Sequence, residues 1–179
     1  MKRRNFLFGG ILGGALSSLP RVFKKKGIYI SEFGFKPGRD NTQVIILAEA
    51  AAFLKGQTLH FPKDEKIMLS KPIVLRVSVE GNGAELISQN SSVFVRIKNE
   101  RSLAELSVTS LHYDGQNIAN GFFVDETKDV LVKNCTIKNC LDVGISIFES
   151  EQVQLVHNQI EGSPKLIIDK INSRNIREA

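Results

Sequence analysis

An all-β solenoid, a parallel β-helix of about 23-residue coils with an α-helical N-terminal cap, is what the 179-residue sequence predicts. Three observations carry that expectation. A block of the chain repeats itself, its apolar residues alternate as strands do, and helical periodicity is confined to one stretch ahead of the repeats.

The repeat is plainest between residues 120–140 ("NGFFVDETKDVLVKNCTIKNC") and 143–163 ("VGISIFESEQVQLVHNQIEGS"). Offset by 23, Gly121 meets Gly144, Val130 meets Val153 and Ile137 meets Ile160. One apolar column runs Leu106-x-Val108-x-Ser110-x-x-Tyr113, then Val130-x-Val132-x-Asn134-x-x-Ile137, then Val153-x-Leu155-x-His157-x-x-Ile160. A second runs Phe122-x-Val124 and Ile145-x-Ile147, each just after a glycine. Alternation of this kind sends every second side chain into a core, and coils stack at the inter-strand spacing of about 4.8 Å. Gly115, Asn139 and Gly162 close the first column and are expected at corners with positive φ. Residues 74–87 ("VLRVSVEGNGAELI") form an earlier coil with Gly81 and Gly83 at its turn, and Ile176 begins a further one. A leucine-rich repeat shares the period but needs a Leu-x-x-Leu-x-Leu frame that is absent here.

Ahead of the coils, Val44, Leu47, Ala48, Ala51 and Leu54 fall on one helical face. Asp40 with Gln43 suggests a capping box, and Gly56 is a stop. Such a helix sits where a solenoid needs its N-terminal cap. The expected organisation is a signal segment (1–20), a linker and entry segment (21–39), the cap helix (40–56) and the coils (57–179). No second cap follows the last coil, so the chain is expected to be the front part of a longer β-helix.

Charge separates the leader from the domain. Residues 1–26 hold Lys2, Arg3, Arg4, Arg21, Lys24, Lys25 and Lys26 and no acid, leaving 17 basic against 19 acidic residues in the rest. The net charge of +5 is therefore no nucleic-acid face. The apolar run Phe6–Leu16 is too short for a stable bilayer span, which takes about 20 residues, so membrane contact is expected only through an export signal.

Cys135 and Cys140 are expected to be small buried residues, with a disulfide the lesser alternative. His60, His112 and His157 are solitary and offer no metal-ligand spacing.

Two resemblances follow. Arg3-Arg4-Asn5-Phe6-Leu7, before a Gly-rich apolar run, resembles the twin-arginine export signal. That implies the twin-arginine translocase as partner and a periplasmic or cell-envelope address. The segment "FGFKPGRDNTQVIILAEAAAFLKGQTLHFPKDEKIMLSKPIVL" resembles the entry segment of the pectate-lyase-like right-handed parallel β-helix superfamily, through Phe33-Gly34, Gly38, Asp40, Thr42, Leu59, Phe61-Pro62 and Leu69. With the leader and the coils, the chain is similar to twin-arginine-exported β-helix-repeat proteins, a family without a settled activity. The resemblance implies a right-handed, single-stranded parallel β-helix.

It also implies polysaccharide as the ligand class. Hydrolases of the fold use clustered carboxylates as acid and base, and lyases use Ca²⁺ on carboxylates. Asp114, Asp125 and Asp142 on neighbouring coils, and His157 as a base, are the candidate catalytic residues; each also suits a plain turn or surface role. Of the superfamily's hydrolase motifs only Arg96-Ile97-Lys98 occurs, where it suits an ordinary strand with Ile97 inward. No cofactor is expected, Ca²⁺ apart. Three functions remain open: a non-catalytic carbohydrate-associated protein of the envelope, favoured here; a polysaccharide lyase or glycoside hydrolase; and a truncated remnant without activity.

Overall fold

A computed structural model describes residues 27–101, 104–162 and 166–179. The leader residues Arg3, Arg4, Phe6 and Leu7 lie outside the described residues. The chain winds as a parallel β-helix of about five coils, each laying one strand in each of three sheets. Sheet A holds β1 (Ile28–Tyr29), β2 (Leu59–His60), β5 (Val79–Glu80), β8 (Leu106–Thr109), β11 (Lys128–Lys133), β14 (Glu151–Val156) and β17 (Arg177–Glu178). Sheet B stacks β3 (Lys66–Leu69), β6 (Glu85–Ser88), β9 (His112–Asp114), β12 (Thr136–Lys138) and β15 (Gln159–Glu161). Sheet C stacks β4 (Ile73–Leu75), β7 (Val95–Ile97), β10 (Phe122–Asp125), β13 (Val143–Phe148) and β16 (Leu166–Ile171).

The register is the one the repeat columns predict. Val108 pairs with Val132 and Val132 with Leu155, while Tyr113 pairs with Ile137 and Ile137 with Ile160. In sheet C, Phe122 pairs with Ile145 and Val124 with Ile147. Nearly all these inward side chains are fully buried, in one core that runs the length of the stack. Ile97 is inward and buried, as an ordinary strand residue would be. Each large apolar side chain so buried contributes about 1.5–3 kcal/mol against exposure.

Corners carry the departures from expectation. Gly115 is not left-handed; Gln116 (φ 55°) and Asn117 (φ 60°) are. Gly115 is needed for room instead, since a Cβ there would lie 2.6 Å from the Ala119 carbonyl oxygen and 2.7 Å from that of Asn139. Asn139 (φ 51°) and Gly162 (φ 64°) do take the left-handed conformation. The A-to-B corner places Asp64, Asn82, Ser110, Asn134 and His157 at φ 49–54°, one above another. The shared column of Ser110, Asn134 and His157 is thus a column of backbone conformation.

Helix α1 (Thr42–Lys55) packs on β1, β2 and β4. Its buried face is Ile45, Ala48, Glu49 and Ala52, not the predicted one: Leu47 is 51% and Leu54 81% exposed. Apolar residues surround this helix, so periodicity cannot choose a side. Contact chooses it, through small alanines and the Glu49 ion pair. The capping box is absent too. Asp40 Oδ1 accepts from the Thr42 N–H (2.9 Å) and Oγ1 (2.6 Å), and Asp40 Oδ2 from Ser70 Oγ (2.5 Å). Gly56 ends the helix in the left-handed region (φ 61°).

The two cysteines are buried and form no disulfide. They flank β12, whose three extended residues alone span about 10 Å, beyond the reach of a disulfide. No helix among the described residues is long and apolar enough to cross a membrane.

Candidate functional site: a polar groove beside sheet A

The four sequence-predicted residues are dispersed around the coil. Asp114 lies on sheet B, Asp125 at the end of a sheet C strand, Asp142 in the B-to-C turn and His157 at the A-to-B corner. Asp114 and Asp125 have side-chain partners, and the backbones of Asp142 and His157 are tied to neighbouring coils. Asp114 accepts from Asn139 Nδ2 (3.1 Å) and the Gln116 N–H (3.0 Å), with Lys138 at 3.7 Å. Asp125 is ion-paired with Arg96. The Asp142 and Val143 amides donate to Asn120 Oδ1 at 2.9 and 3.2 Å. The His157 amide donates to the Ala179 carbonyl oxygen at 2.6 Å. The Asp114 and Asp125 carboxylates, each beside a cation, do not suit Ca²⁺, and among the described residues no group of three or more His, Cys, Asp or Glu could hold a metal.

Most of the polar surface is charge-balanced. On sheet B, Lys138 reaches across β9 to Glu85 at 2.6 Å, and that hydrogen bond outweighs partial burial to raise the Lys138 pKa. Past the C-to-A corner, Glu151 meets Arg174 (2.8 Å) and Lys128 (2.9 Å), which lower its pKa. Glu126 is likewise lowered by Lys98 at 3.0 Å.

One groove differs. It runs beside sheet A, lined by Glu105, Asp129, Gln152, Gln154, Asn175 and Arg177. Asp129 immediately precedes Val130, which pairs with Leu106, the residue after Glu105. The two carboxylates therefore sit at one register position on adjacent coils, about 4.8 Å apart in backbone. Asp129, Gln152 and Asn175 share a left-handed backbone (φ 53°, 57° and 56°), which repeats the same polar position coil after coil. Gln154 Nε2 approaches Glu105 Oε2 to 3.5 Å. Among the described residues, no cation lies within 4.0 Å of Glu105 or Asp129. Toward the helix cap the groove continues past Leu106, Ser78, Thr58 and Arg101. Two anionic acceptors between amides that both donate and accept form a surface suited to hydroxyl groups.

Sequence reasoning passed over these residues because Glu105, Asp129, Gln152 and Asn175 share no residue type. Their spacing of 24, 23 and 23 was the available signal.

The match to known proteins places the fold first. The model of the right-handed β-helix region matches residues 69–176, more than half of the chain, and the protein belongs to that family. Three solved structures share its architecture. ORF18 of Geobacillus virus E2 is 18% identical with a TM-score of 0.53, covering 72% of this chain and 29% of its own. A candidate glycosyl hydrolase from Parabacteroides merdae is 14% identical with a TM-score of 0.53, covering 86% of this chain and 93% of its own. The Agl-KA catalytic domain is 12% identical with a TM-score of 0.54, covering 86% of this chain and 37% of its own. The chain thus spans under a third of the first of these and nearly all of the second. No curated protein matches its sequence.

Proposed function

We propose that this is an exported, carbohydrate-associated β-helix protein that holds a polysaccharide along the groove beside sheet A. The observation that carries this reading is the pair Glu105 and Asp129, at one register position on adjacent coils, with no cation within 4.0 Å among the described residues and continued by amides along the coil axis. A carboxylate accepts strongly from hydroxyls, and a row of acceptors and donors repeating every coil suits a polymer. The candidate glycosyl hydrolase among the structural neighbours agrees with a carbohydrate ligand.

Affinity electrophoresis through gels containing single polysaccharides tests it. The expected result is retardation by at least one polymer, lost on replacing Glu105 and Asp129 together by alanine while the circular dichroism spectrum is kept. Retardation that persists in the double variant sinks the assignment of the groove.

The same pair supports a second reading, glycoside hydrolysis. Adjacent coils place the two backbones about 4.8 Å apart, which leaves the carboxyl groups within reach of the roughly 5–5.5 Å separation of a retaining acid and nucleophile. Release of reducing ends from a retarding polymer, abolished by Asp129→Asn, would establish it; binding without release keeps the protein non-catalytic. Export by the twin-arginine route rests on Arg3 and Arg4. Replacing both by lysine is expected to retain the protein in the cytoplasm.

A further inference from the structure

Resting on the polysaccharide reading above, we propose that the groove takes an uncharged glycan and discriminates against polyuronates. The charge arrangement is what points there. Glu105 and Asp129 face the middle of the groove, with no cation within 4.0 Å among the described residues. A uronate carboxylate placed against either would meet like charge at short range, whereas a hydroxyl there would donate a charge-assisted hydrogen bond.

The cations nearby do not reverse this. Arg76 is committed to Glu49 through Nη2 at 2.7 Å and Nε at 3.1 Å. Arg101 donates to the Phe53 carbonyl at the end of α1, and its guanidinium lies 4.5 Å from the centroid of the Phe53 ring. Arg177 remains. It pairs in register with Gln154, which pairs with Leu131 on the strand of Asp129. The Arg177 backbone therefore lies two coils, about 10 Å, beyond the strand that carries Asp129. One positive charge at the far end of the lining is outnumbered by the two carboxylates, so the groove stays net acidic. The groove excludes repeated negative charge at its centre and accepts hydroxyls along its length.

The test compares polygalacturonate with its carboxyl-reduced counterpart, the same backbone without charge, by affinity electrophoresis and calorimetry at low and at 0.15 M salt. The neutral polymer is expected to bind at least about tenfold more tightly at low salt, the equivalent of a single close like-charge contact. Its affinity should be indifferent to salt, and the discrimination should shrink as salt rises. Glu105→Gln with Asp129→Asn keeps hydrogen-bonding groups but removes both charges, and should narrow the ratio by about as much. Equal or tighter binding of polygalacturonate by the unaltered protein, or a ratio unmoved in the double amide variant, overturns the inference and leaves the polysaccharide reading standing. Retention by neither these two nor any polymer of a wider panel overturns the polysaccharide reading itself.

Discussion

Arg76 grips Glu49 with two parallel hydrogen bonds, Nη2 to Oε2 at 2.7 Å and Nε to Oε1 at 3.1 Å, and its backbone N–H also donates to Glu49 Oε1 at 3.0 Å. One carboxylate on the cap helix is thereby bound to the loop after β4. Glu49 is 3% exposed, so its charge is tolerated only because Arg76 answers it. Replacing Arg76 with leucine leaves a buried anion without its partner. The expected loss is about 2–4 kcal/mol, below the usual upper range because Arg76 is itself partly in water. Urea denaturation at neutral pH measures it. Glu49→Gln with Arg76→Leu should recover part of the loss, and a single variant as stable as the parent would show that the cap is held by apolar contact alone.

A ladder of hydroxyls lines the C-to-A corner. The Asn99 N–H donates to Thr127 Oγ1 (2.7 Å), the Thr127 N–H to Ser150 Oγ (3.3 Å), and the Ser150 N–H to Ser173 Oγ (3.1 Å). Each side chain supplies the acceptor that the backbone of the preceding coil lacks. Ser150 is buried, and Ser150→Ala leaves the Thr127 amide unsatisfied at a cost of about 1–3 kcal/mol. Hydrogen exchange should register the same change locally, as faster exchange at Thr127 with the amides of β3 and β6 unaffected. Uniform acceleration along the chain would mean the ladder has no local role.

The stacking columns were legible because their inward residues alternate and recur: Val130, Val153, Ile137 and Ile160 could be placed by spacing alone. The cap helix was legible as a helix but not as a face, since Ile45, Leu47, Ala48 and Leu54 are all apolar and only packing distinguishes them. Corner glycines proved ambiguous, because Gly115 and Gly121 serve close approach rather than positive φ. A Cβ on Gly121 would lie 2.0 Å from the Gly144 carbonyl oxygen of the next coil. The groove was hidden for a different reason. Chemistry that differs from coil to coil leaves no repeated residue type, so Glu105 and Asp129 become neighbours only when the register is known. Asp114 and Asp125 drew notice as conspicuous turn residues, yet the fold gives them to Lys138 and Arg96.

The thiols of Cys135 and Cys140 should be silent in the folded protein. Burial pushes the Cys135 thiol up to about 11, outweighing the lowering effect of backbone hydrogen bonds at Leu111, Lys133 and Ser110, so almost none is thiolate at neutral pH. Cys140 is equally buried. A chromogenic disulfide reagent at pH 7.5 is expected to titrate no thiol in native buffer and two in denaturant. Rapid reaction of either without denaturant would show the corners around β12 to be open.

Acid should loosen the cap through Asp40. Burial alone would raise its pKa, but the hydrogen bonds from Ser70 and from the hydroxyl and amide of Thr42 outweigh burial and hold it below 3.8. A carboxyl whose folded pKa lies under its unfolded value stabilises the fold fully above the unfolded value, and the stabilisation disappears as pH falls through the folded one. Stability attributable to Asp40 is therefore flat from neutrality to about pH 5 and declines below about pH 4. Asp40→Asn is expected to be less stable than the parent at pH 7. The two should converge on acidification, as protonation removes from the parent what the substitution has already removed. Chemical denaturation at half-unit steps from pH 6 to pH 2.5 follows the difference. A gap that stays constant across that range would place the acid sensitivity elsewhere and leave Asp40 with a pH-independent role at the start of α1.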